Sequence, residues 1–371
     1  MSLTVLHAIP SLVGGGAERQ LSLLAPELCR LGVATHVAYV HGGVNLPALK
    51  ASPVGLHHVD CTSNHDPRIL LNLVRLIRDL RPDVVQTWLL QMDVFAGLAA
   101  MLTGTTFVLS ERSSSACYSG NWKYVLRRSI GRHADVVVAN SQGGINYWGK
   151  SPGARHLIRN GLSLDVNHDS EPVSTESLGL AANARIILFA GRLSSEKNIA
   201  TLLEAFDQVL ASRPDTAAVL FGEGPLREAL QAKIARLGVS DRVRLAGFTP
   251  ELGRWMHRAS ALVSISLFEG HPNAVLEAAA LGCPLVVSSI EQHSEILSGS
   301  SALFCDPTSP VDVARAIVAI LDNPKAAATR AAAAKHLAKS WSISTSARNY
   351  LQLYQHLATH RTPQEERSKM R

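Results

Sequence analysis

The stretch ALVSISLFEGHPNAVLEAAALG, residues 261–282, passes from a strand to a helix through a turn that carries chemistry. Its opening ALVSISL is small and apolar and reads as a buried strand ending near Leu267. Residues 274–281 are strong helix formers, and Gly282 with Pro284 beyond it marks their stop. EGHPN is therefore a strand-to-helix turn at the carboxyl end of a strand, where open α/β sheets bind ligands. Asn273 is placed to cap the helix. The amides of Gly270, Ala274 and Val275, with the positive end of the helix dipole, then favour a phosphate. Glu269 lies in the turn and Glu277 one turn inside the helix, eight positions on. Like charges repel, so carboxylates beside a phosphate make sense as acceptors for hydroxyl groups of the same ligand. A nucleoside diphosphate sugar, with a hydroxyl-bearing ring on either side of its diphosphate, satisfies this. The plainer alternative is a solvated loop glutamate and a helical one without a ligand.

Working outward, a βα series surrounds this turn: ARIILFAG, a helix over 199–210, AAVLFG, a helix over 226–237, RVRLAG, the quoted segment, and PLVVSS. An earlier series runs LTVLHAI, a first helix with Leu21, Leu24, Leu28 and Leu31, VATHVAYV, DVVQTW, TTFVLSE and DVVVANS. Pro26 falls inside that first helix and should kink it. Between the two series, residues 162–184 are polar and contain Pro172, which reads as an interdomain linker with a short helix over 175–178. Two doubly wound domains follow, as expected for 371 residues, since single cores usually split beyond roughly 250 to 300. Near the end, Tyr350, Leu353, Tyr354 and Leu357 form one apolar stripe that must dock somewhere.

Two more strand-end turns support a ligand site. GRLSSEKN, residues 191–198, brings Arg192 and Lys197, two cations that could neutralise a diphosphate and stabilise it as a leaving group. FGEGPLRE adds a tight glycine turn. In the first half, Gly14, Gly15 and Gly16 sit between strand and helix, where backbone amides can approach a ligand closely. Their spacing is not Gly-x-Gly-x-x-Gly, and the second strand ends in His41 and Gly42 rather than an acidic residue, which disfavours a dinucleotide-dependent dehydrogenase.

Composition bounds the rest. Hydrophobic residues at 46% and charged ones at 18% exclude a disordered chain. The net charge of +6 favours anionic partners in general, without pointing to nucleic acid. The five cysteines, Cys29, Cys61, Cys117, Cys283 and Cys305, are scattered and show no Cys-x-x-Cys, so neither a disulfide framework nor a zinc site is expected and a reducing cytoplasm fits. The opening MSLTVLHAIP lacks a basic leader and reads as a strand, and no apolar run reaches 18 residues, so a soluble or membrane-surface protein is expected.

Taken together, GGGAER, VVVANS, IRNGLSLD, AGRLSSEKN, GEGPLRE and the E-x7-E pair occur in an order that resembles the retaining glycosyltransferases of family four, over residues 4–358. The resemblance implies a GT-B fold of two facing Rossmann-like domains: residues 1–165 binding acceptor, 166–345 binding nucleotide sugar, a helix over 346–360 crossing back to the first domain, and a disordered tail over 361–371. It implies diphosphate contacts from Arg192 and Lys197, ribose contact from Glu277, donor-sugar contact from Glu269, and closure of Gly14 to Gly16 over the donor. It also implies a metal-independent hexosyl transfer with retention, in keeping with the absence of Asp-x-Asp, and uridine as the commonest base.

One departure stands out. Many members of the family it resembles carry a histidine after the strand written here DVVQTW, whereas this chain has Gln86, Trp88, Gln91 and Asp93 and no histidine between His65 and His133. Gln91, Asp93, Glu111 and Arg112 are the acceptor-side candidates, with the polar loop over 110–120 beside them. The helix NWKYVLRRSIGRH, with Trp122, Tyr124 and Leu126 among Lys123, Arg127, Arg128 and Arg132, suits contact with an anionic membrane surface; the alternative is a solvated face over a buried Val125 and Ile130. The expected product is a cell-surface polysaccharide or lipopolysaccharide. A nucleotide-sugar epimerase of similar shape and a non-catalytic sugar-nucleotide-binding partner remain as rival readings.

Overall fold

The computed structural model describes residues 3–113, 118, 121–149, 153–163 and 173–359. Cys117, Pro172, most of the polar loop over 110–120 and the tail lie outside the described residues. Two units divide the chain, Met1–Ser163 with Trp341–Arg371, and Leu164–Ser340.

The first unit is built on strands Thr4–Ser11 (β1), Ala34–His41 (β2), Gly55–His58 (β3), Val84–Trp88 (β4), Thr106–Glu111 (β5), Val136–Ala139 (β6) and Ala154–Leu157 (β7). All pair in parallel, in the order β3-β2-β1-β4-β5-β6-β7. The second unit holds Arg185–Ala190 (β8), Thr216–Phe221 (β9), Val243–Gly247 (β10), Ala261–Ser264 (β11), Leu285–Ser288 (β12) and Leu303–Cys305 (β13), parallel in the order β10-β9-β8-β11-β12-β13. Strands β3, β7 and β13 escape the sequence reading for one reason: each lies at a sheet edge and is short, so it lacks the continuous apolar run of a strand covered on both faces.

That double coverage is plain in β1. Val5 and Ile9 pack with Leu21, Leu24 and Leu28 of the first helix, Gly16–Arg30, whereas Leu6 and Ala8 face Leu73, Ile77, Met92 and Ala96 on the other side. Each such buried aliphatic side chain contributes about 1.5–3 kcal/mol relative to exposure. The first helix runs on through Pro26. As the apolar stripe requires, the C-terminal helix Ile343–Thr359 docks on the first unit: Ala347, Tyr350, Leu353 and Tyr354 are buried in the core that contains the first helix. Ser344 Oγ donates to Glu27 Oε1 at 2.5 Å and Ser346 Oγ to the Arg159 carbonyl at 3.0 Å, fixing its entry.

Candidate active site

In the second unit the strand order reverses between β8 and β11, so the turns after these strands diverge and leave a crevice at their carboxyl ends. They are residues 191–198 and 265–272, the two segments singled out from sequence. Strand β11 stops at Ser264, earlier than its apolar pattern suggests, because the amide of Leu267 leaves the sheet to donate to the Glu196 carbonyl at 2.8 Å. The two turns are thereby stitched together, and Lys197 Nζ meets Glu269 Oε1 at 2.5 Å. Ser266 Oγ donates to the same oxygen at 2.6 Å. Burial works to raise the Glu269 pKa, but the Lys197 ammonium and the two hydrogen bonds outweigh it and hold the carboxyl below its usual range. The pair stays accessible, Lys197 retaining 21% side-chain exposure and Glu269 10%, and Arg192 is exposed at the start of its turn.

Asn198, which the sequence reading passed over, sets the aim of Lys197. Its left-handed backbone (φ 53°) ends the short 3-10 turn Ser195–Lys197, its Nδ2 donates to the Pro307 carbonyl at 2.6 Å, and its Oδ1 accepts from Thr201 Oγ1 at 2.7 Å. Asparagine tolerates this conformation better than most residues, which was the available signal. The GEG turn after β9 is pressed onto the same loop. A Cβ on Gly222 (φ 137°) would lie 1.9 Å from the Gly191 carbonyl oxygen, and one on Gly224 would lie 2.4 Å from that of Leu193.

The helix after β11 spans Asn273–Leu281, so Pro272 occupies the capping position and Asn273 is the first helical residue, which corrects the expected asparagine cap. Pro272 accepts the first intrahelical bond, from Leu276, and the amides of Ala274 and Val275 consequently have no partner within the helix. Glu277, half-buried, follows one turn in. Gly282 in the left-handed conformation (φ 74°) closes the helix.

In the first unit the order reverses between β1 and β4. Gly14 and Gly16 are exposed, and Gly15 caps the first helix. Glu18 lies flat against Gly15, where an added Cβ would meet its carboxylate at 2.2 Å, and accepts from Ser11 Oγ at 3.2 Å. Asn45 donates its backbone amide to the Leu12 carbonyl at 3.0 Å and its side chain to that of Val13.

The acceptor-side candidates divide. Asp93 and Glu111 are fully buried and their oxygens are committed: Arg127 reaches Asp93 Oδ2 through Nε at 2.7 Å and Glu111 Oε2 through Nη1 at 2.8 Å. Thr87 Oγ1 donates to Asp93 Oδ1 at 2.6 Å, and Trp148 Nε1 to Glu111 Oε2 at 2.9 Å. Burial raises the Asp93 pKa against the pull of Arg127. Through Arg127, Glu111 ties the helix Trp122–Gly131 to β5 and Asp93 ties it to the helix Leu89–Thr103, so these two acceptor-side candidates are engaged inside the first unit. Arg112 is likewise engaged, donating to Tyr350 Oη at 2.5 Å and Asn160 Oδ1 at 3.1 Å, with its guanidinium 4.1 Å from the centre of the Trp88 ring. Gln91 donates to the Asn64 carbonyl at 2.8 Å and is half-buried. On the basic helix itself, Arg127 is interior rather than on the charged face, and Val125, at 64% exposure, is outside rather than beneath it; Ile130 is buried as expected.

Among the described residues no group of three or more His, Cys, Asp or Glu is placed to hold a metal, and no helix is long and apolar enough to cross a membrane.

Each unit thus carries a strand-order reversal with phosphate-suited turns at its strand ends, the pair of Rossmann-like sheets of a GT-B fold, and comparison with known proteins supplies the family. A profile described as "Glycosyltransferase Family 4" matches residues 14–166, and one described as "Glycosyl transferases group 1" matches residues 184–323. The chain belongs to glycosyltransferase family 4. It is 25% identical over 312 residues to the Campylobacter jejuni N-acetylgalactosamine-N,N'-diacetylbacillosaminyl-diphospho-undecaprenol 4-alpha-N-acetylgalactosaminyltransferase, covering 78% of this chain and 82% of that protein. With the D-inositol 3-phosphate glycosyltransferase of Thermobispora bispora it shares 30% identity over 233 residues, 58% of this chain and 54% of that protein. Its fold superimposes on Anabaena HepE in complex with UDP-glucose with a TM-score of 0.84 at 20% identity, over 95% of this chain and 100% of that one.

Proposed function

We propose that this chain is a retaining glycosyltransferase that moves a hexosyl group from a nucleoside diphosphate sugar, with uridine as the base, to a glycan or lipid-linked acceptor in cell-surface polysaccharide or lipopolysaccharide synthesis. The observation that carries it is the Lys197–Glu269 pair at the point where the strand order reverses, with Arg192 and a helix N-terminus beside it. The UDP-glucose bound by HepE and the diphospho-undecaprenol substrate of the Campylobacter relative support the donor class and the lipid link.

In this reading residues 166–345 bind donor and residues 1–165 bind acceptor. Arg192 and Lys197, with the amides of Gly270, Ala274 and Val275, take the diphosphate, and their positive charge stabilises it as it leaves. Lys197 then bridges phosphate and Glu269. Glu269 accepts from a hydroxyl of the transferred sugar and Glu277 from the ribose. The glycine loop of Gly14, Gly15 and Gly16 adds backbone donors, with Asn273 at the helix start among the donor-binding residues. The acceptor oxygen attacks the anomeric carbon on the face the phosphate leaves, the C–O bond to phosphate breaks, and the departing phosphate oxygen takes the acceptor proton. That path retains configuration and asks for no metal. The exposed Trp122, Val125 and Leu126 with Lys123, Arg128 and Arg132 support contact with the inner face of the cell membrane.

The test is nucleotide release and thermal shift with UDP-, GDP- and ADP-sugars in EDTA. Stabilisation by the uridine donor is expected, with release falling by about 10²–10³ in Glu269→Ala and Lys197→Ala. Absence of stabilisation by all three donors, or wild-type release by both variants, would sink the reading.

A further inference from the structure

Beneath Glu269 lies a chain of polar groups that the scheme above does not use. Ser266 Oγ donates to the Glu269 carboxylate at 2.6 Å, and the Ser266 carbonyl in turn accepts from Ser288 Oγ at 2.7 Å, a bond that crosses from the turn after β11 to the end of β12. His293, on the short helix Glu291–Ser294, brings Nδ1 to 3.0 Å from the Ser288 carbonyl oxygen and 3.2 Å from Ser288 Oγ. A carbonyl oxygen only accepts, so Nδ1 carries a hydrogen. Ser288 Oγ, whose own hydrogen goes to Ser266, accepts the second branch. Ser266, Ser288 and His293 are all fully buried, and burial keeps the imidazole neutral. Its Nε2 is then a bare acceptor with no hydrogen-bond partner among the described residues. Apolar packing alone would not call for an imidazole here; the donor at Nδ1 is what the site uses.

We propose that His293 is a positioning residue for Glu269. Its Nδ1–H orients Ser288, Ser288 fixes the Ser266 carbonyl, and Ser266 presents its hydroxyl so that the carboxylate keeps one rotamer while Lys197 turns to the diphosphate. This rests on the reading of Glu269 as the donor-sugar contact. It predicts a loss expressed in turnover rather than in donor affinity, because the diphosphate ligands are untouched.

Asparagine places Nδ2 near the position of histidine Nδ1, so His293→Asn keeps the donor that His293→Leu removes. Ser288→Ala breaks the same chain without emptying the imidazole's volume. Nucleotide release with the preferred UDP-sugar is measured for these variants, for Ser266→Ala, and for the His293→Leu/Ser266→Ala double variant. Expected are a fall in kcat of about tenfold in His293→Leu and Ser288→Ala with donor KM changed less than about threefold, recovery in His293→Asn, and a double variant no slower than Ser266→Ala alone. Multiplicative effects in the double variant, a loss carried by KM, or an equal loss in His293→Asn and His293→Leu would each overturn the proposal. Release by Glu269→Ala at the wild-type rate would instead overturn the underlying role of Glu269; an inactive Glu269→Ala beside a fully active His293→Leu would overturn the positioning role alone.

Discussion

His7 sits in the middle of β1 without exposure, and Trp88 Nε1 donates to its Nδ1 at 3.2 Å. Burial first, and the Arg112 guanidinium second, push its pKa down to about 3. Unfolded, the imidazole titrates near 6.5 and takes a proton the native state refuses. Its contribution is therefore complete above pH 6.5 and shrinks as pH falls toward 3, by up to about 1.4 kcal/mol per pH unit. His7→Asn keeps an acceptor for Trp88 and removes the titration. Urea unfolding at pH 7 and pH 5 should show wild type losing about 2 kcal/mol more than the variant across that interval; equal losses would refute the account. Glu269 acts in a separate, more acidic window: its lowered pKa gives stability above the usual carboxyl range that is lost as pH falls through the folded value. At this scale Lys197 and Glu269 were legible because each sits in a turn that its flanking strand and helix announce. His293 was not, because its partner Ser288 matters only once β12 lies beside β11.

The helix Trp122–Gly131 shows how an element can have the right composition and a different orientation from the one its pattern suggests. Its interior face is Arg127 and Ile130, the arginine held by two buried carboxylates, which turns Trp122 (67% exposed), Val125 and Leu126 outward beside Lys123, Arg128 and Arg132. Sequence periodicity cannot foresee that a charged residue faces inward, since this depends on Asp93 and Glu111 arriving from other elements. The exposed face should bind vesicles of phosphatidylcholine with phosphatidylglycerol and release them as salt rises. Trp122→Ala with Leu126→Ser should weaken binding about tenfold in co-sedimentation, through lost apolar burial; equal binding to pure phosphatidylcholine, or none to either, would exclude the membrane role.

Over the whole molecule the chain leaves the first unit at Ser163 and returns to it at Trp341. The returning helix supplies Ala347, Tyr350, Leu353 and Tyr354 to a core that also holds the first helix, and Tyr354 Oη donates to the buried Gln86 side chain. Losing the three large side chains forfeits about 1.5–3 kcal/mol apiece, comparable with the 5–15 kcal/mol that holds a typical domain. A chain ending at Ser163 should therefore lack a cooperative thermal transition by circular dichroism, and a peptide spanning 341–359 should restore it. Residues 173–340, whose core is drawn from their own strands and helices, should unfold cooperatively alone. Cooperative unfolding of the short chain without the peptide would contradict this.

By itself the sequence determined the alternation of strands and helices, the two doubly wound sheets, the turns that bear Arg192, Lys197 and Glu269, and the helix that bears Glu277. These are encoded in side-chain periodicity and in the residues that start and stop an element, interactions reaching only a few positions along the chain. Only the tertiary structure decided the edge strands β3, β7 and β13, the diversion of Asp93 and Glu111 to Arg127, the Asn198 anchor and the path from His293 to Glu269. Each depends on strand order bringing together groups far apart in sequence, and a buried polar group takes whichever partner that order supplies, because leaving it unpaired costs more than any local preference.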